Sequence, residues 1–316
     1  MKARILTATA IVTSFTGFAP ARAADQQLLN LLMPDAKVVA GVNVDQAKAS
    51  PLGQYVLQQM QSQDQHMREL TLQTGFDPTR DVHELLVASA GASGKETGLA
   101  LARGNFNIAG VTGVATQHGG FIEQYGGATI VENPEKTIGI AFLNTTVVAA
   151  GDLANVKAAI DRQTSPSILP ATLLTQINEW SNSQDAWMIS AVPPGSLARR
   201  PNAPKVPGLG PGQDAFQNIQ QAAAGVRFGS IITAKIQGQT DGSQSAQQMS
   251  DALKLLASMA QMQSNGDPTA AALMQGLNIS SQSNLVNVSI SLPSDQFIKL
   301  VQPKKVAPIE RRQVRK

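Results

Sequence analysis

The chain contains no cysteine, and that absence removes several classes of protein at once. Disulfides, thiol catalysis, thiolate-held zinc or iron–sulfur centres and the lipid-modified cysteine of bacterial lipoproteins all require it. Aromatic residues make up only 4% of the sequence. Stacking surfaces for bases or sugars are therefore scarce, and a core must be assembled from Val, Ile, Leu, Ala and Met. No apolar run reaches the about 20 residues that a membrane-spanning helix needs.

An excess of positive charge is also missing, despite a formal net charge of +3. Setting aside Lys2, Arg4 and Arg22 leaves 22 basic against 22 acidic residues. Six of the basic ones (Lys304, Lys305, Arg311, Arg312, Arg315 and Lys316) crowd into the last fourteen positions beside the single acid Glu310. The body from Ala24 to Gln302 is then acidic, with 16 basic against 21 acidic residues. Phosphate affinity comes mainly from Lys and Arg, so no nucleic-acid partner is expected.

What is present begins at the first residue. Lys2 and Arg4 precede a mostly apolar stretch from Ile5 to Phe18, Pro20 breaks it, and Ala21-Arg22-Ala23 offers small residues at the −3 and −1 positions. This is the pattern of a secretory signal peptide cleaved after Ala23; an uncleaved anchor would want a longer run. Export without disulfides fits a bacterial periplasm or exterior, where the sequons at Asn144, Asn278 and Asn287 arise by chance. With 42% hydrophobic residues and a mean hydropathy of −0.07, the mature chain can bury a core.

Periodicity divides the body in two. Helices are predicted over 25–33 and, behind Ser50-Pro51, over 51–73; strands over 37–44, 83–89, 97–103, 128–132, 137–143 and 146–150; then a helix over 153–162. Asn144-Thr145 forms a hairpin connection, and closely spaced strands favour antiparallel pairing. Gln163 to Pro170 is the boundary. Beyond it come a helix over 171–179, a strand over 186–192, an exposed Pro/Gly-rich loop over 193–212 and a helix over 214–224. A strand or bent pair of strands covers 226–237, and helices cover 243–263 and 268–276. A strand over 285–292 and a helix over 294–301 complete the body. The segments AFLNTTVVAAGDLANVKAAI and GLNISSQSNLVNVSISLPSDQFIKLV both read as strand, polar turn, strand, capped helix, as an ancient duplication would leave them.

The predicted fold is thus α+β, in two tandem lobes that are each a mostly antiparallel sheet with helices packed on one face. The domains are a signal peptide 1–23, lobes 24–165 and 166–302, and a basic disordered tail 303–316. The runs MPDAKVVAGVNVDQAKASPLGQYVLQQM, TGFDPTRDVHELLVAS, GLALARGNFN and VVAAGDLANVKAAIDR resemble a domain-of-unknown-function family of exported bacterial proteins with an N-terminal strand–helix module. That resemblance implies export and an α+β fold, and carries no activity or site residues.

Ser89 to Glu96 (SAGASGKE) lacks the first Gly and the Ser/Thr of a phosphate loop, and Gly208 to Gln213 (GLGPGQ) lacks the third Gly of a dinucleotide loop. Asp77, Asp81, His83 and Glu84 are the densest set of potential metal ligands. Asp77 before Pro78 reads as a helix start, however, and His83 and Glu84 fall on opposite faces of a strand. His66 and His118 are isolated, the first on a polar helix face and the second in a Gly-rich loop. Met249, Leu253, Leu256 and Ala260, with Met259 and Met262 beside them, form a helical stripe read as adaptable core packing ahead of soft-metal binding. No catalytic, cofactor-binding or metal residue is assigned and no cofactor is expected. The reading is an exported, non-catalytic binding or scaffolding protein whose tail meets anionic envelope components. An envelope hydrolase with a spatially assembled site, or a metal or small-ligand carrier, stands as the alternative.

Overall fold

The computed structural model describes residues 23–63, 65–91, 98–166, 168–193, 218–263 and 268–301. The first half opens with α1 (Gln26–Asn30), whose cap Asp25 accepts hydrogen bonds from the N–H groups of Gln27 and Leu28. β1 (Val38–Asn43) leads into α2 (Val44–Ala49), α3 (Pro51–Gln63), α4 (Gln65–Thr74) and α5 (Pro78–Asp81). There follow β2 (Val82–Ser89), β3 (Gly98–Gly104), α6 (Ile108–Gln117), β4 (Phe121–Tyr125), β5 (Ala128–Glu132), β6 (Ile138–Phe142), β7 (Val147–Asp152) and α7 (Leu153–Asp161). The second half contains α8 (Ala171–Ser183), β8 (Ala186–Ser190), β9 (Ile219–Arg227), β10 (Ile231–Thr240), α9 (Ser243–Gln263), α10 (Pro268–Gly276), β11 (Leu277–Gln282), β12 (Leu285–Pro293) and α11 (Ser294–Val301).

All twelve strands join one antiparallel sheet in the order β11-β12-β10-β9-β8-β1-β2-β3-β7-β6-β5-β4. The expected α+β class and antiparallel pairing are present. The two half-sheets are not separate bodies, because β1 and β8 pair edge to edge and make them continuous. The halves also repeat each other. From the seam outward one runs β1, β2, β3, β7, β6 and the other β8, β9, β10, β12, β11; α6 in the first and α9 and α10 in the second lie between the third and fifth of these strands, and one helix follows the fourth in each. β4 and β5 are extra strands of the first half.

At the seam Val38 pairs with Ser190, Ala40 with Met188 and Val42 with Ala186. That pairing is reciprocal about Ala40 and Met188, as a two-fold axis perpendicular to the sheet requires. Counting outward, Gly41, Leu86, Leu101, Ala149 and Ala141 are partners in turn, and their counterparts are Ile189, Ala223, Gln237, Asn287 and Ser280.

The two faces of the sheet differ. On the face that carries Val39, buried Leu28, Leu86, Leu99, Leu101, Ile130, Ala149, Val156, Ile160, Ile177, Trp187 and Ile189 form the large core under α1, α7 and α8. Gly41 belongs there because a Cβ would lie 2.5 Å from Trp187 Cζ2. On the opposite face a small cluster of Ile219, Ala246, Met249 and Val286 seats the start of α9.

Two local expectations change, and a third resolves to one of its two alternatives. The stretch expected as a helix over 214–224 is strand from Ile219 onward, because the Ala and Gln that favour a helix locally fill a slot between β8 and β10. α6 and β4 stand where the glycine-rich sequence suggested loop. The 226–237 segment is a pair of strands turning at 228–230.

Candidate functional site

The acid–histidine cluster disperses along separate elements. Asp77 caps α5 and accepts from Thr79 N–H. Asp81 is buried, accepts from the Arg80 guanidinium at 2.6 and 2.7 Å and from Asp77 N–H, and the arginine above all holds its carboxyl below the usual range. Glu84 accepts from Asp25 N–H at 2.9 Å, and burial pushes its carboxyl up. His83 lies elsewhere: its Nδ1 is 3.0 Å from Asp45 Oδ1, and its Nε2 is 3.2 Å from Asn105 Nδ2. That geometry sets an acid behind an imidazole, but an amide occupies the nitrogen that would activate a hydroxyl.

Among the described residues no group of three His, Asp or Glu side chains is placed to hold a metal ion. His66 lies in α4 and exposed His118 caps the end of α6. Residues 92–96 of the first glycine motif, all of the second, the 194–212 stretch of the predicted loop and the tail lie outside the described residues. The methionine stripe is only partly core: Met249 is buried, whereas Leu256, Met259 and Met262 are exposed, because α9 runs on past its cluster.

The sheet itself supplies two surfaces that no linear motif announces. The first is a row of directly paired residues crossing every strand: Ile122, Val131, Ile140, Ala150, Ala100, Val87, Ala40, Met188, Ala224, Ile236, Val288 and Ile279. Every member is apolar, yet none is buried, and Ile122, Ile140, Val87, Met188 and Ile236 are exposed by 39–56%. At about 4.8 Å per strand the row is roughly 50 Å long. A contiguous apolar strip of that length is uncommon on a surface left wholly to water.

The second surface lies on the opposite face of the second half. Glu179, Trp180 and Gln184 of α8 and its C-cap face Lys235, Gln237, Asn287 and Ser289 around a cavity of about 320 Å³. Gln237 donates to Asn287 Oδ1 at 2.9 Å. By the two-fold these strand positions match Leu99, Leu101, Ala149 and Gly151, of which the first three are buried in the large core with Val156, Ala159 and Ile160 of α7. The same backbone surface is core once and a polar cavity once.

The chain matches no family model and no curated protein. Its fold does have a solved likeness. It is similar to TP0453 in crystal form III, with a TM-score of 0.56 and 8% identity over 86% of this chain and 96% of that one. Crystal form IV gives 0.53 over 87% and 96%, and form I gives 0.51 over 86% and 95%, both at 8% identity. At that identity the likeness concerns the fold alone.

Proposed function

We propose that the chain is an exported, non-catalytic protein of the bacterial envelope that binds an anionic lipid surface. The observation that carries this reading is the apolar row, which crosses every strand of the sheet with none of its members buried. An apolar face alone does not choose its partner. The choice comes from charge: α11 ends at Val301, and the sequence that follows holds six basic residues against Glu310. Apolar area and clustered Lys and Arg together suit acyl chains beneath anionic headgroups. Among the described residues no helix is long and apolar enough to cross a membrane.

The test uses vesicles of phosphatidylglycerol and phosphatidylethanolamine against vesicles of phosphatidylcholine. The mature chain is expected to sediment with the anionic vesicles at low salt. Truncation after Gln302 should weaken that binding about tenfold or more, since each basic residue near such a surface contributes about 1 kcal/mol before screening. Equal, salt-insensitive behaviour of the two chains would remove the proposal. The polar cavity supports a second reading, carriage of a small polar ligand held by Lys235, Gln237 and Asn287. A ligand-dependent melting shift lost in Lys235→Ala, with no vesicle binding, would favour it.

A further inference from the structure

The surroundings of Glu84 concern the start of the mature chain. Glu84 lies on the core face of β2, where Oε1 accepts the Asp25 N–H at 2.9 Å. Beside it Arg103 Nε is 2.7 Å from Asp25 Oδ2, and an Arg103 terminal nitrogen donates to Gln27 Oε1. The arginine is thus committed to Asp25. Asp25, Glu84 and Arg103 leave one negative charge over, on a half-buried carboxylate. Ala24, one residue back, packs against the core.

Standard bond lengths put the nitrogens of adjacent residues about 3 Å apart. The Ala24 nitrogen therefore lies one short step from the Asp25 nitrogen that Glu84 already holds. In the uncleaved chain that atom is a neutral amide. Cleavage after Ala23 turns it into an ammonium.

We infer that signal cleavage creates an ion pair between the new α-ammonium of Ala24 and the Glu84 carboxylate, so that processing completes this corner of the core. The inference rests on the export reading and adds to it a structural role for the released terminus. It also gives a role to an acid on a mostly apolar face: Glu84 pairs with Asn43 and Arg103 in the register that places Leu86 against Gly41 and Leu101.

The experiment compares three mature chains: one beginning at Ala24 with a free amine, the same chain N-acetylated, and one with Gly-Ser ahead of Ala24. Each is made with Glu84 and with Glu84→Gln, which keeps an acceptor for Asp25 N–H. At pH 7 the free-amine chain is expected to melt about 2–4 °C above both blocked chains. The terminal amine should titrate above its ordinary 7.7–8.0. Its contribution is then complete below that value and fades as pH rises through the raised one, so the gap closes by about pH 10. In Glu84→Gln the gap should be absent at every pH.

Free and blocked chains that melt alike at pH 7 would overturn the ion pair. N-terminal sequencing of protein recovered from cells separates the two failures. Ala24 as first residue with identical melting curves sinks the ion pair alone, whereas an intact Met1 sinks the export reading.

Discussion

The two halves share a strand order and differ in what they bury. In the first, Leu99, Leu101 and Ala149 face α7 and are fully withdrawn from water. In the second, the matching Lys235, Gln237 and Asn287 are polar and line a cavity. One backbone plan has therefore been put to two uses: a half that holds the protein together and a half freed to present surface. The largest test sets equivalent positions against each other. Leu101→Ala removes a side chain with no exposure from the large core and should cost about 2–5 kcal/mol. Gln237→Ala loses one hydrogen bond and should cost about 1 kcal/mol or less. Urea denaturation giving equal costs would break the contrast between the halves.

The seam offers the next effect. A Cβ on Gly41 would sit 2.5–2.8 Å from three atoms of the buried Trp187 ring, which belongs to the other half. Gly41→Ala should therefore overpack the junction and cost about 1–3 kcal/mol. Gly113 in α6 has nothing within 4 Å of its Cβ position, so Gly113→Ala should stabilise by about 0.5–1 kcal/mol. Opposite signs in thermal melts of two identical chemical changes would confirm that the seam is tightly packed; equal signs would mean it is loose.

Local chemistry made part of this legible in the sequence. The helix predicted over 25–33 and the Asn144-Thr145 connection anticipate α1 and the β6–β7 hairpin; Asn144 Oδ1 accepts from Thr146 and Val147 N–H. The strand–turn–strand–helix echo between the halves is matched by β6, β7, α7 and β11, β12, α11. What the sequence concealed depends on long-range register. The apolar row takes one residue from each strand, from Ile122 to Ile279, and no window along the chain contains more than a few of them. Residues 219–224 favour a helix by composition, and only their neighbours β8 and β10 make them a strand. Helix α6 contains Gly110 and Gly113 and is followed by Gly119 and Gly120, a composition that reads as loop. Gly110 is tolerated because its backbone packs on Thr74 O, where a Cβ would be 2.2 Å away.

The extra strands β4 and β5 have no counterpart among the described residues of the second half, and they bring a carboxylate into the core face. Glu132 is buried; Glu123 beside it first, and burial second, raise its carboxyl. Glu123 is held low by its hydrogen bonds, and Lys157 Nζ lies 2.8 Å from its Oε2. Lys136 and Lys157 oppose the rise at Glu132. Because the native state holds the Glu132 proton more tightly than the unfolded chain, this group's contribution is complete below the unfolded value. It is lost as pH climbs through the native one. Glu132→Gln cannot ionise, so its melting temperature should gain on the parent's by about 2 °C between pH 4 and pH 7. A constant difference across that range would show that Glu132 is not the group that titrates.

The smallest effect on stability should carry the largest effect on binding. Val87 stands mid-row, is 41% exposed and pairs with Ala40 and Ala100, which leave room for a longer side chain. Val87→Lys puts an ammonium on water-facing surface, so denaturation should move by no more than about 0.5 kcal/mol. At the vesicle surface the same charge would have to be drawn from water beside acyl chains, and association should fall by about tenfold or more. A lysine at Leu72, exposed on α4 and no member of the row, adds the same charge and should leave binding unchanged or slightly stronger. Binding that tracks added charge, wherever it is placed, would mean that headgroup attraction does all the recruiting and the apolar row does none.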